Sequence, residues 1–160
     1  MSVIDSPFWQ FALTLYKDEA LRRSLLTLQD AHQVVILELL FAVWLAEQGT
    51  EWRENDRQQS RQCTLPWVDE VIVPLRQLRR RWCANAGRDA GYQHLLAMEL
   101  EAEHHLARLL LEQIPTSEAQ SPSEALLATN MAWLETEYGV DAARCQQLLS
   151  QLATVRPKMV

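Results

Sequence analysis

The run Val34-Val35-Ile36-Leu37-Glu38-Leu39-Leu40-Phe41-Ala42-Val43-Trp44-Leu45-Ala46 is apolar at every position but one. Its 13 residues are too few for a bilayer span, which needs about 20. A helix that is apolar all round is buried on every side. The run therefore predicts a central core helix from about Gln33 to Gln48, with Gly49 as its stop. Glu38, its one charge, is buried whichever way that helix turns.

Outward from this helix the pattern stays helical. Ser6-Pro7 opens a first helix, because serine caps well and proline suits the first turn. Asp18 caps a second, through Leu21, Leu25 and Leu28. Thr50 to Thr64 has no apolar period and reads as a polar loop. Pro66 opens a fourth helix with the stripe Trp67, Val68, Val71, Ile72, Leu75, Leu78 and Trp82, which Pro74 should kink or split. A break at Asn85–Gly91 precedes a long fifth helix, about Tyr92 to Ile114. Ser121-Pro122-Ser123-Glu124 reads as a capping box for a sixth helix, stopped by Gly139. Asp141 caps a seventh, and the tail 155–160 is expected to fray. No strand-like alternation appears. The expectation is one all-α domain over 1–160, with its core at about 6–154: a compact bundle of six or seven helices.

The chain has 160 residues, 48% of them hydrophobic, too apolar for intrinsic disorder. Its net charge of −6 disfavours a general polyanion binder. That total hides a block, since residues 53–88 carry eight basic against four acidic side chains. Cys63, Cys83 and Cys145 are odd in number and form no CxxC, which favours a reducing compartment and a cytoplasmic location. The N-terminus has no basic region before an apolar stretch, so a signal peptide is not expected.

Charges on apolar faces are the informative anomalies. Glu99 and Glu103 fall near the centre of the apolar arc of the fifth helix, which includes Leu95, Leu96, Met98 and Leu100. Arg79 lies within the stripe of the fourth helix, with Arg76 and Arg80 beside it. A lone buried charge is costly, so Arg79 and Arg76 should pair with some of Glu38, Glu99 and Glu103. The plain reading is an ion-pair network that sets helix register; the functional one is a polar pocket.

Other chemistry is thinly signalled. Glu101-Ala102-Glu103-His104 contains Glu-x-x-His, the spacing of di-metal bundles, but no second copy occurs. Glu101, His104 and His105 are therefore weak metal candidates, with His104 turned to solvent, and no metal or cofactor is expected. Nucleophile elbows, zinc-protease motifs and phosphate loops do not occur. Cys83 follows Arg79-Arg80-Arg81-Trp82, although a packing role suits a small thiol better. Arg53, Arg57, Arg61 and Arg88 could extend a local basic patch, but Trp67 and Trp82 fall on the buried stripe rather than forming a stacking platform.

Four segments resemble a known family. They are Phe8-Trp9-Gln10-Phe11-Ala12-Leu13-Thr14-Leu15-Tyr16, Leu28-Gln29-Asp30-Ala31-His32, Leu39 to Ala46, and Pro74-Leu75-Arg76-Gln77-Leu78-Arg79-Arg80. Together they resemble a mainly proteobacterial family of small cytoplasmic helical proteins known only as a domain of unknown function. The family pattern has a glycine and an Asp-Val-Asn where this chain has Gln33 and Val35-Ile36-Leu37. The resemblance implies no activity, but it points to Asp30, His32 and the Arg76/Arg79/Arg80 group. The simpler role for Asp30 and His32 is to end the second helix and shape the next turn.

The sequence thus favours a non-enzymatic module that binds another macromolecule. A protein partner is expected, with a second copy among the candidates and no membrane. Trp52 and Trp133 are candidate exposed anchors. One alternative is a small enzyme or ligand-binding bundle built on the Glu/Arg interior. Another is weak nucleic-acid binding through 53–88. A pocket at Glu99 or Glu103 would favour the enzyme, and an exposed apolar patch the binding module.

Overall fold

The computed structural model describes residues 2–155, so most of the expected frayed tail lies outside the described residues. Among them the fold is all-α, with no strand. The helices are α1 (Pro7–Tyr16), α2 (Glu19–His32), α3 (Ile36–Glu47), α4 (Glu54–Trp67), α5 (Val73–Ala86), α6 (Ala90–Leu111), α7 (Glu124–Met131), α8 (Trp133–Tyr138) and α9 (Ala142–Val155). A 3-10 turn, Val3–Asp5, precedes α1, and a π-helical segment, Val68–Ile72, joins α4 to α5. The chain divides into two compact units. The first holds residues up to 54 and from 115 onward, and the second residues 55–114.

In the first unit α3 is the centre. Leu39, Phe41, Ala42, Val43 and Leu45 have no exposed surface, and Glu38 is buried as expected. The Phe41 ring meets Phe8 edge-on at 5.2 Å and Trp52 at 5.5 Å, and Trp52 meets Trp133 at 5.9 Å. Such edge-to-face pairs add to the area they bury. The expected caps form: Ser6, Asp18 and Asp141 accept from the backbone N–H of Trp9, Leu21 and Arg144. Gly49 ends α3 at φ +73°, with Thr50 N–H bonded to Leu45 O and Gly49 N–H to Ala46 O. A Cβ at Gly49 would run into the Gln120 carbonyl, which fixes glycine there. Gln33 ends α2 at φ +59°, a left-handed conformation, in the place where the resembled pattern carries glycine.

Several expectations are corrected. The polar stretch 50–64 is mostly helix α4, not loop, because its buried face is Arg57, Ser60 and Thr64 and so shows no apolar period. Pro66 lies inside α4 rather than opening a helix. The break expected at Pro74 appears just before it, as the π segment, a device that absorbs a disturbed hydrogen-bond ladder. Ser123, not Ser121, caps α7, and the sixth helix breaks at Ala132 into α7 and α8.

Trp52 and Trp133 are buried, at 2% and 3% exposure. They lie in a loop and a short helix, where periodicity carries no information about burial. Conversely Trp82, Leu96, Met98 and Leu100 are exposed, and no residue of α5 is buried. Spacing identifies a face suited to being covered, but it does not supply the cover.

Candidate functional site

The second unit brings most of the sequence-derived candidates together. α5 and α6 run as a hairpin closed by the short link Gly87–Asp89. Asp89 caps α6 by accepting from Tyr92 N–H, and the same oxygen accepts from Trp82 Nε1 at 2.7 Å. These bonds, the backbone one foremost, hold the Asp89 carboxyl below its ordinary range. The Trp82 indole lies against Gly91, where a Cβ would collide with it. At the other end Trp67 Nε1 donates to Ala102 O at 2.8 Å, and the Trp67 ring meets His105 at 4.3 Å.

Between these two tryptophans sits the charge cluster. Glu99 Oε1 accepts from Arg76 Nε at 3.0 Å, and Glu99 Oε2 from Arg79 Nε at 2.5 Å. The Glu99 side chain is only 6% exposed. Its two oxygens are thus held by two guanidinium groups, which leaves little for acid–base work. The hydrogen bond that Arg79 donates to Glu99 raises the Arg79 pKa above its ordinary value, against the opposing effect of burial. Glu103 lies 3.8 Å from an Arg76 terminal nitrogen and is 37% exposed. Burial of its carboxyl and the neighbouring Glu99 charge push its pKa to about 7, with Arg76 and Arg79 pulling the other way. Glu103 can therefore exchange a proton near neutral pH.

The remaining candidates lie elsewhere. Glu38 belongs to the first unit and accepts from Tyr138 Oη at 3.3 Å. It lies in the first turn of α3, at the positive end of the helix, where a negative charge is favoured. His32 is the last residue of α2, and its Nδ1 lies 3.2 Å from Tyr138 O. Asp30 is exposed near the same end. His104 is buried rather than solvent-facing and stands 3.7 Å from Glu101, while His105 packs on Trp67. Among the described residues no cluster of His, Cys, Asp or Glu could hold a metal ion. Cys145 is buried, and desolvation raises its thiol pKa, as befits a packing residue. Among the described residues no helix is long and apolar enough to cross a membrane.

A groove of about 230 Å³ lies in the first unit between α2 and α9, edged by Arg23, Thr27, Arg144 and Gln151. It is far from apolar, and Arg23 is already paired with Glu19. The exposed hydrophobic surface is concentrated on the hairpin. Leu78, Trp82, Leu96, Met98 and Leu100 are 40–57% exposed. Sequence reasoning placed these residues in the core. It also missed Asn130, which is fully buried, accepts from Trp52 N–H, and donates to the carbonyls of Ala42 and Thr50.

One family model matches, over residues 7–110; its description is a protein of unknown function, DUF2390. No curated protein and no solved structure matches.

Proposed function

The chain belongs to this family of unknown function, and from that premise we propose that it is a non-enzymatic protein-binding module working through the α5–α6 hairpin. The observation that carries the reading is the inversion of that hairpin. Arg76 and Arg79 are turned onto Glu99, while the large apolar side chains Leu78, Trp82 and Met98 are 40–57% exposed. Large exposed apolar groups on one short element mark an interaction surface. Both Glu99 oxygens are engaged, which argues against the enzyme reading. The nucleic-acid reading loses Arg76 and Arg79 to Glu99 and Arg53 to Glu51. Three free thiols fit a reducing cytoplasm.

The test is site-specific photocrosslinking in the cell. A photoreactive residue at His94, exposed on α6 one turn before Met98, should give a discrete protein adduct that Leu78→Glu removes. The same residue at Thr14, exposed on α1, should not give it. Identical adducts at both sites, or none at His94, would overturn the reading.

A further inference from the structure

We propose that the groove between α2 and α9 is a binding site for a small organic dianion, one that carries a carboxylate or a phosphate group at each end. The site lies within the first unit and is independent of the hairpin.

The two helices set the layout. The His32 ring, at the end of α2, meets the carbonyl of Tyr138 just before α9 begins, so the helices run antiparallel where they pack. α2 contributes Arg23, Ser24 and Leu28 to the groove, and α9 contributes Arg144, Gln147 and Leu148. Arg23 is the first lining residue on α2 and Arg144 the first on α9. Antiparallel packing therefore puts the two arginines at opposite ends. Between them Leu28 and Leu148 are 4% and 2% exposed and form an apolar floor. Ser24 and Gln147 add a hydroxyl and an amide to the walls. No aspartate or glutamate lines the groove among the described residues.

Both guanidinium groups can take a new partner. Arg23 pairs with Glu19 one turn away, but the two side chains are 75% and 65% exposed. Such a surface pair contributes little, so exchanging Glu19 for another anion costs little. Arg144 forms no ion pair among the described residues. The nearby Asp141 carboxylate caps α9 by accepting the Arg144 backbone N–H. A guanidinium offers planar, paired donors that match the oxygens of a carboxylate or a phosphate. One at each end, with leucine between, suits an anionic group at each end of a short apolar chain. The groove holds about 230 Å³. That is below the roughly 300–1,000 Å³ of a site for a drug-sized ligand, so the occupant is small. The net charge of −6 opposes any anion at long range, but salt screens that field within about 8 Å and leaves the local arginines to decide.

The experiment is an NMR titration of the ¹⁵N-labelled full chain at constant ionic strength. The probes share one four-carbon chain: adipate with two carboxylates, its diphosphonate counterpart, and pentanoate with one carboxylate. At least one of the two dianions should shift the amide signals of α2 and α9 saturably, with pentanoate weaker by about tenfold or more, the loss expected for one charge-assisted contact. A preference between the dianions assigns the anionic group; equal binding means that the site reads charge alone. Arg23→Gln and Arg144→Gln should each weaken the dianion by about tenfold. Both side chains are exposed, so helical circular dichroism and melting temperature should stay unchanged. Arg108→Gln, exposed on α6, removes the same charge outside the groove and should bind like the wild type. The proposal is overturned if neither dianion saturates below about 10 mM, a weakness typical of non-specific contact. It is equally overturned if pentanoate binds as well as the dianions, if Arg144→Gln leaves the affinity intact, or if Arg108→Gln lowers it as much.

Discussion

The centre of the first unit and the α5–α6 hairpin of the second are built differently. The first is built round α3 and a chain of aromatic rings, Phe8, Phe41, Trp52 and Trp133, none more than 5% exposed. The α5–α6 hairpin of the second has no buried residue on α5, and its centre is the carboxylate of Glu99 between two arginines. An apolar core stabilises by area removed from water and is not weakened by the charge screening that salt brings. A charge cluster stabilises through a few bonds that must all be present, and its net contribution is small. The contrast is between a unit closed on an aromatic core and a hairpin that leaves large apolar side chains open.

Phe41→Ala is the hardest blow to this contrast. Phe41 is fully buried and touches Phe8, Trp44 and Trp52, so we expect a loss of about 3–5 kcal/mol in urea unfolding. A loss below about 1 kcal/mol would mean that the aromatic chain is not what holds the first unit. Glu99→Ala should cost less, about 2 kcal/mol, because Arg76 and Arg79 are 18% and 19% exposed and water can partly replace the carboxylate. The loss should appear as faster amide exchange in α5 and α6 with α3 unchanged. Equal acceleration in α3 would break the division between the units.

The smallest effect is a pH dependence. Glu103 titrates near 7 in the folded protein, above its ordinary value of 4.5. The folded state therefore holds the proton that the unfolded state has lost between those pH values. The Glu103 contribution to stability falls as pH rises through that window. Glu103→Gln removes the dependence, so the variant should gain melting temperature relative to wild type between pH 4.5 and pH 7.5. A difference that stays flat would show that Glu103 is more fully solvated than its neighbours suggest.

Much of the fold was legible because helix ends and buried runs are written locally. Ser6, Asp18 and Asp141 cap where their residue types and the following apolar period say they should, and Gly49 and Gly139 stop helices at positive φ. The pairing of Arg76 and Arg79 with Glu99 was legible because charges on apolar faces must find one another. α4 was not legible, because Arg57, Ser60 and Thr64 make its buried face polar. Leu78 and Met98 were placed in the core because a stripe at helical spacing looks the same whether or not another element covers it. Asn130 carried no signal at all. A lone asparagine in a helix is ordinary until the chain brings it against Trp52, Ala42 and Thr50.

The position of Asn130 has a consequence for the order of synthesis. The second unit is continuous in the chain, so its helices are all made before α7 begins. The first unit is split, and residues from 115 onward must arrive before its buried bonds can close. Until then the Trp52 amide and the Thr50 carbonyl wait for a side chain not yet translated. The unit with the aromatic core is therefore the one that cannot close until α7 and α8 are made, and a chain cut short before α7 lacks the Trp133 ring and the Asn130 side chain that complete it.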